Sequence, residues 1–266
     1  MQVKTEIFHQ LCHPLAKEFQ IDKILLSHEP TSDFYKSQWQ SQNKSIIWLI
    51  YRWIFAFIFI AGAVGSWLDR FCDGKWFIYL TNWGFSLCML TSVSGALLVT
   101  IFYCGKENTV RPWVLKLYWM SHLTTVVFAT VITLVYWTSI YPTQDNADKG
   151  SIVINLWSHA FNSIFMILDL MLIAFPGRIL HFIYPLCLAL IYTIFTVIYY
   201  YAGGVDCIGN RYIYPILDWS SPGWATLTVL GCYLLIFIFS WIHFGLYKLR
   251  TSIYHKQRNT VLTLHV

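Results

Sequence analysis

Charge is the scarcest property of this 266-residue chain: Asp, Glu, Lys and Arg make up 12% of it, about half of the roughly 25% that wets a soluble domain. Apolar residues reach 57% and aromatics 18%, which excludes a soluble globular fold and a disordered chain alike. The net charge of +5 comes from 18 cations spread thinly against 13 anions, so there is no basic stripe of the kind that follows a nucleic-acid backbone. The seven cysteines (12, 72, 88, 104, 187, 207 and 232) show no CxxC or other metal spacing, and no cofactor or metal is expected. Internal repeats and paired Gly/Pro-interrupted half-helices, the marks of a transporter, are also missing. A cleavable signal peptide is not expected, because residues 1–44 are polar and precede the first apolar run.

What is present fits lipid as the solvent. Six nearly uncharged apolar runs lie at 45–67, 76–103, 113–136, 151–175, 180–202 and 223–247. Each is long enough to cross a hydrocarbon core of about 30 Å at about 1.5 Å per residue. The expected fold is therefore all-α, a polytopic six-helix transmembrane bundle over 45–247, with an N-terminal tail (1–44) and a C-terminal tail (248–266). Cytoplasmic loops are enriched in Lys and Arg. Thirteen cations mark the side of the two tails and the second and fourth connectors, whereas only Arg70, Lys75, Lys149 and Arg211 mark the other. Both termini are thus expected in the cytoplasm.

Ionisable residues inside spans are costly and are functional candidates by default. Counted from the helix ends, Thr81 lies about 8 Å, His159 about 12 Å and Asn162 about 16 Å into the outer half. They form a candidate catalytic group. Arg52, His122, Asp169 and His243 fall in the inner half as a candidate structural network. His159, Asn162 and Asp169 project within about 60° of one another on one face of the fourth span. The second span carries a facing row of small and polar residues, Thr81, Cys88, Ser92 and Gly95. Simpler readings stand beside these: Thr81 and His159 as interhelical hydrogen-bond partners, Arg52 snorkelling to the interface, and Asp169 paired with Arg52 or His122. Cys72 and Cys207 share the outer face and are a candidate disulfide pair, Cys12 and Cys104 are candidate palmitoylation sites, and the Asn43 sequon is expected to be unused on the cytoplasmic side.

Several strings carry a resemblance. Phe34-Tyr35-Lys36-Ser37-Gln38-Trp39-Gln40, Tyr79-Leu80-Thr81-Asn82-Trp83, His159 with Asn162-Ser163, Leu168-Asp169-Leu170, and Tyr212-Ile213-Tyr214-Pro215-Ile216-Leu217-Asp218-Trp219 resemble the rolling stone family of invertebrate multi-pass membrane proteins. That resemblance implies a plasma-membrane protein acting in myoblast or cell fusion and muscle development. Its expected partners are membrane lipids and proteins of the fusion apparatus, with Tyr212, Tyr214, Pro215, Asp218 and Trp219 forming the outer loop motif.

The family is distantly similar to the androgen-induced-gene type of membrane hydrolase, which cleaves fatty acid esters of hydroxy fatty acids. By that similarity Thr81 is the candidate nucleophile, and a fatty-acyl ester in the outer-leaflet half is the candidate substrate. The hydrolase motif Asn-His-x-x-His reads Ser158-His159-Ala160-Phe161-Asn162 here. Asn162 replaces the second His, and an amide has no basicity with which to activate a Thr hydroxyl. His159 would have to act as a displaced base, with Asn162 stabilising an oxyanion. Two expectations follow, a non-catalytic fusion component and a threonine-dependent lipid-ester hydrolase.

Overall fold

The structure, a computed structural model, describes residues 17–143 and 152–264. Helix α1 (Ile46–Arg70) opens on Ser45, whose hydroxyl accepts the Trp48 N–H at 3.2 Å and caps one of the open first-turn donors. Helix α2 (Leu80–Tyr103) ends at Gly105, whose φ of 70° lets Gly105 and Lys106 return their N–H groups to the carbonyls of Phe102 and Ile101. Helix α3 (Pro112–Val135) begins on a proline, where no N–H is lost, and widens at its end into a π turn over Tyr136–Ile140. Helix α4 is built from three pieces: Ile152–Leu156, a π turn at Trp157–Phe161, and Asn162–Leu172. Helix α5 (Ile183–Tyr201) follows a 3-10 turn at Ile179–Phe182, and α6 runs over Pro222–Leu264.

The fold is all-α. Among the described residues, five helices are long and apolar enough to cross a membrane: Ile46–Arg70, Leu80–Tyr103, Pro112–Thr143, Ile179–Tyr201 and Pro222–Thr260. The fourth apolar run departs from the single uniform helix expected over 151–175. A π turn interrupts it, and the chain becomes extended at Ile173, with ψ at 158°. Its expected start at Ser151 and residues 144–150 of the connector before it lie outside the described residues.

Two boundaries also differ from the sequence reading. The last helix does not stop at Tyr247 but continues to Leu264, since residues 248–264 contain neither Gly nor Pro to break it. The N-terminal segment is not simply a solvated tail, because Phe34 and Tyr35 are buried in the main aromatic core beside Trp48, Trp119 and Phe175.

Helix α4 packs against α1, α2, α3 and α6, and α3 packs against α2, α4, α5 and α6. The N-terminal segment, the start of α1, the ends of α2 and α4, and the late part of α6 gather on one side of the bundle, the tail side. The opposite side holds the end of α1, the start of α2 and the 202–221 connector, joined by a Cys72–Cys207 disulfide. In lipid, apolar side chains gain little by leaving their solvent, so shape fit and hydrogen bonds carry the association of helices.

Candidate functional site

On the tail side, Asp169 of α4 is the hub of a buried ionic network. Arg52 Nη1 of α1 donates to Asp169 Oδ1 at 2.7 Å, Tyr51 Oη donates to the same oxygen at 3.0 Å, and His122 Nε2 of α3 donates to Oδ2 at 2.9 Å. Arg52 Nη2 donates to the hydroxyl of Tyr118. Its guanidinium also lies 5.2 Å from the Trp48 ring centroid and 5.9 Å from that of Tyr118. Arg52 and Asp169 are each 1% exposed. Burying both charges is tolerable only because each is paired and further hydrogen-bonded.

Gly95 makes room for this cluster, since a Cβ there would collide with the Arg52 guanidinium and crowd the Tyr118 hydroxyl. His243, grouped with these residues by depth, makes no hydrogen bond to them in this cluster: its Nε2 meets Thr130 Oγ1 at 3.2 Å, within electrostatic range of His122.

Below the network, the end of α4 is clasped by two distant segments. A helix leaves its last carbonyls open, and here each finds a donor. Gln38 N and Ser37 Oγ both donate to Leu172 O at 2.8 Å, and Trp39 Nε1 donates to Met171 O at 2.7 Å. Arg250 of α6, fully buried, sends Nη1 to Leu170 O at 2.5 Å and Nη2 to Phe175 O at 2.9 Å. Glu18 adds ion pairs with Arg178 at 3.6 Å and Lys248 at 3.7 Å.

The disulfide side is arranged differently. Thr81 stands in the first turn of α2, where its N–H meets Tyr214 Oη at 3.4 Å. Both line an apolar chamber of about 90 Å³ bounded by α2, α3, α5, α6 and the 3-10 turn Pro215–Leu217. Burial raises the Tyr214 phenol above its ordinary value, so it stays a neutral donor at physiological pH.

His159 and Asn162 do not line this chamber. The His159 ring stacks on Tyr136, with centroids 3.4 Å apart and planes 8° from parallel, and Tyr136 itself is part of the chamber wall. Asn162 Nδ2 donates to Ser158 O within its own helix at 2.9 Å. The three residues of the candidate catalytic group are therefore not joined by hydrogen bonds. The π turn at Trp157–Phe161 rotates His159 away from the regular helix phase on which the sequence reading placed it.

The loop motif closes the chamber. Tyr214 packs edge-on against Tyr79 at 5.8 Å, Asp218 Oδ1 accepts the Ser220 N–H at 2.8 Å, and Trp219 Nε1 donates to Thr196 Oγ1 at 3.2 Å. Pro215 starts the short turn that carries Leu217 into the core, while Tyr212 is half-buried. Lys75 Nζ reaches Asp206 O at 2.8 Å beside the disulfide.

The chain matches the family described as Protein rolling stone over residues 5–266. The chain belongs to the rolling stone family. A relative, Protein rolling stone of Drosophila melanogaster, is 38% identical over 257 residues, covering 92% of this chain and 93% of that protein. No solved structure matches it.

The strings that carried the resemblance now have physical roles. Residues 34–40 clasp α4, and Asn82 and Trp83 tie the entry of α2 back to the carbonyls of Trp76 and Phe77 at 2.7 and 2.6 Å. Residues 212–219 roof the chamber. Sequence reasoning missed Tyr51, Tyr118, Arg250 and Tyr136. Tyr118 was legible as the residue one turn before His122 on α3. Arg250 carried no such signal, since a cation three residues past an apolar run reads as an ordinary interface charge.

Proposed function

We propose that this protein is a six-span membrane component with both termini in the cytoplasm, acting at the plasma membrane in cell fusion of the myoblast type without catalysing a reaction. Family membership supports the setting, and the excess of cations on the tail side supports the orientation. The observation that carries the non-catalytic reading is the separation of Thr81 from a base: the Thr81 amide faces Tyr214, while His159 is stacked on Tyr136. A Thr hydroxyl with no base in hydrogen-bond reach is a poor nucleophile.

The test is complementation of gene-deleted myoblasts with wild type and Thr81→Ala. Equal fusion is expected, and loss of fusion at normal surface abundance would overturn the reading. Orientation is tested with an impermeant maleimide on intact cells, which should leave Cys12 and Cys104 unmodified; labelling of either reverses the topology.

The second reading, a threonine-dependent lipid-ester hydrolase, is favoured by one observation, that Thr81 lies in the wall of an apolar chamber. In that reading Thr81 attacks, His159 becomes the base after a shift of Tyr136, and Asn162 serves the oxyanion. A fluorophosphonate probe should then label wild type but not Thr81→Ala, and an unlabelled wild type rejects it.

A further inference from the structure

Residues 17–25 leave three large apolar side chains uncovered by the protein. Phe19 is 50%, Ile21 82% and Leu25 64% exposed, although they belong to a polar stretch ahead of the first span. Apolar groups gathered on a surface in this way mark an interaction site.

The contacts of the segment fix its level. The Phe19 ring lies 5.9 Å from that of Trp241 on α6. Trp241 stands seven residues before Lys248, the first Lys, Arg, Asp or Glu on that helix, so Phe19 rests on α6 about 10 Å to the apolar side of that charge. At the other end of the segment, the 3-10 turn Ile21–Ile24 packs against the 3-10 turn Ile179–Phe182. Tyr184, in the first turn of α5, donates its hydroxyl to Ile24 O at 2.6 Å. The segment thus crosses from α6 to α5 at their tail-side ends.

Its exposed side chains continue a surface that already faces lipid. Trp241 packs on Phe237 at 6.1 Å, and Phe237 is exposed on α6, as Leu190, Ile191 and Ile194 are on α5, within two helices apolar enough to span a membrane. The backbone suits that setting, where an unmet polar group is costly: Lys23 N–H returns to Gln20 O at 2.9 Å and Leu25 N–H to Asp22 O at 3.1 Å. Exposed Lys17, Gln20 and Asp22 hold the segment at the headgroup level rather than in the bilayer centre.

We propose that residues 17–25 form an interfacial anchor, with Phe19, Ile21 and Leu25 embedded in the bilayer leaflet on the tail side and the polar residues between them among the headgroups. The partner of this face is the lipid surface itself. The anchor needs only a bundle that spans a membrane; it holds for either orientation and does not rest on the fusion reading.

Bimane is attached to single cysteines introduced into the full-length protein, with the Cys72–Cys207 disulfide kept and the other cysteines replaced by Ala. The protein is placed in phosphatidylcholine nanodiscs whose acyl chains are brominated or ordinary. Ile21→Cys and Leu25→Cys are the probes, Ile191→Cys on α5 is the lipid reference, and Gln257→Cys, exposed on the last turns of α6, is the water reference. Bromine should dim bimane at 21 and 25 about twofold, as at 191, and leave it bright at 257, whereas iodide in the buffer should quench 257 about threefold more strongly than 21 or 25. The proposal is overturned if the labels at 21 and 25 stay bright in brominated discs while 191 is dimmed, which is the outcome for a face reserved for a protein partner. A label at 191 that stays bright takes the bundle itself out of the bilayer, and the anchor with it.

Discussion

The two ends of the bundle solve opposite problems with similar residues. On the tail side, Asp169 has its two carboxylate oxygens shared among Arg52, Tyr51 and His122, and the end of α4 is closed by Ser37, Gln38, Trp39 and Arg250. On the disulfide side, Thr81 and Tyr214 face a chamber, and His159 rests on a ring rather than on a hydrogen-bonding partner. Charges paired in a low-dielectric interior hold a structure in one arrangement, whereas the hydroxyls of the other end border an open apolar space. The difference separates a packed ionic hub, which joins three helices through one carboxylate, from a wall of hydroxyls and apolar side chains around a cavity.

The contrast is broken most severely at its hub. Asp169→Ala leaves Arg52 buried without its carboxylate and should cost about 3–5 kcal/mol, seen as a collapse of folded yield and melting temperature in detergent. The double variant Arg52→Met, Asp169→Leu should recover most of that loss, and failure to recover would mean that the ion pair does more than hold α1 to α4. Arg250→Ala removes two charge-assisted bonds from the end of α4 and should cost about 1.5–3 kcal/mol per bond lost at most. Faster proteolysis within residues 34–45 would report the loosened clasp, while an unchanged cleavage pattern would show that residues 37–39 suffice alone.

Gly95→Ala pushes a methyl group into the Arg52 site and should cost about 1–3 kcal/mol through overpacking; the comparison sharpens if Gly84→Ala, which meets only the tip of Ile132, is milder in the same melt. At the other end, Thr81→Ala should change stability by less than about 1 kcal/mol. A larger loss would mean that Thr81 belongs to the framework after all.

Much of this contrast was legible in the sequence, for physical reasons. Long uncharged runs admit few structures other than helices in lipid. The placement of Asp169 and Arg52 within such runs made them stand out against a composition with little charge to spare. What sequence could not carry was phase. A regular helix brings His159 and Asn162 onto the face of Asp169, but the π turn at Trp157–Phe161 adds a residue to the turn and places His159 against Tyr136. His243 shows the related limit, because depth in a span says nothing about which neighbour a side chain meets. The clasp was hidden for a different reason: Ser37 and Arg250 meet α4 through its backbone carbonyls, and carbonyls are the same in every sequence.

The disulfide has a topological consequence. Cys72 and Cys207, 135 residues apart, close α2, α3, α4 and α5 into a covalent ring from which only α1 and α6 lead out. A single proteolytic cut anywhere between Asp73 and Asp206 opens that ring without separating any part of the chain. On a non-reducing gel the nicked protein therefore keeps the mass of the intact one, and two cuts, or a reductant, are needed before a fragment departs.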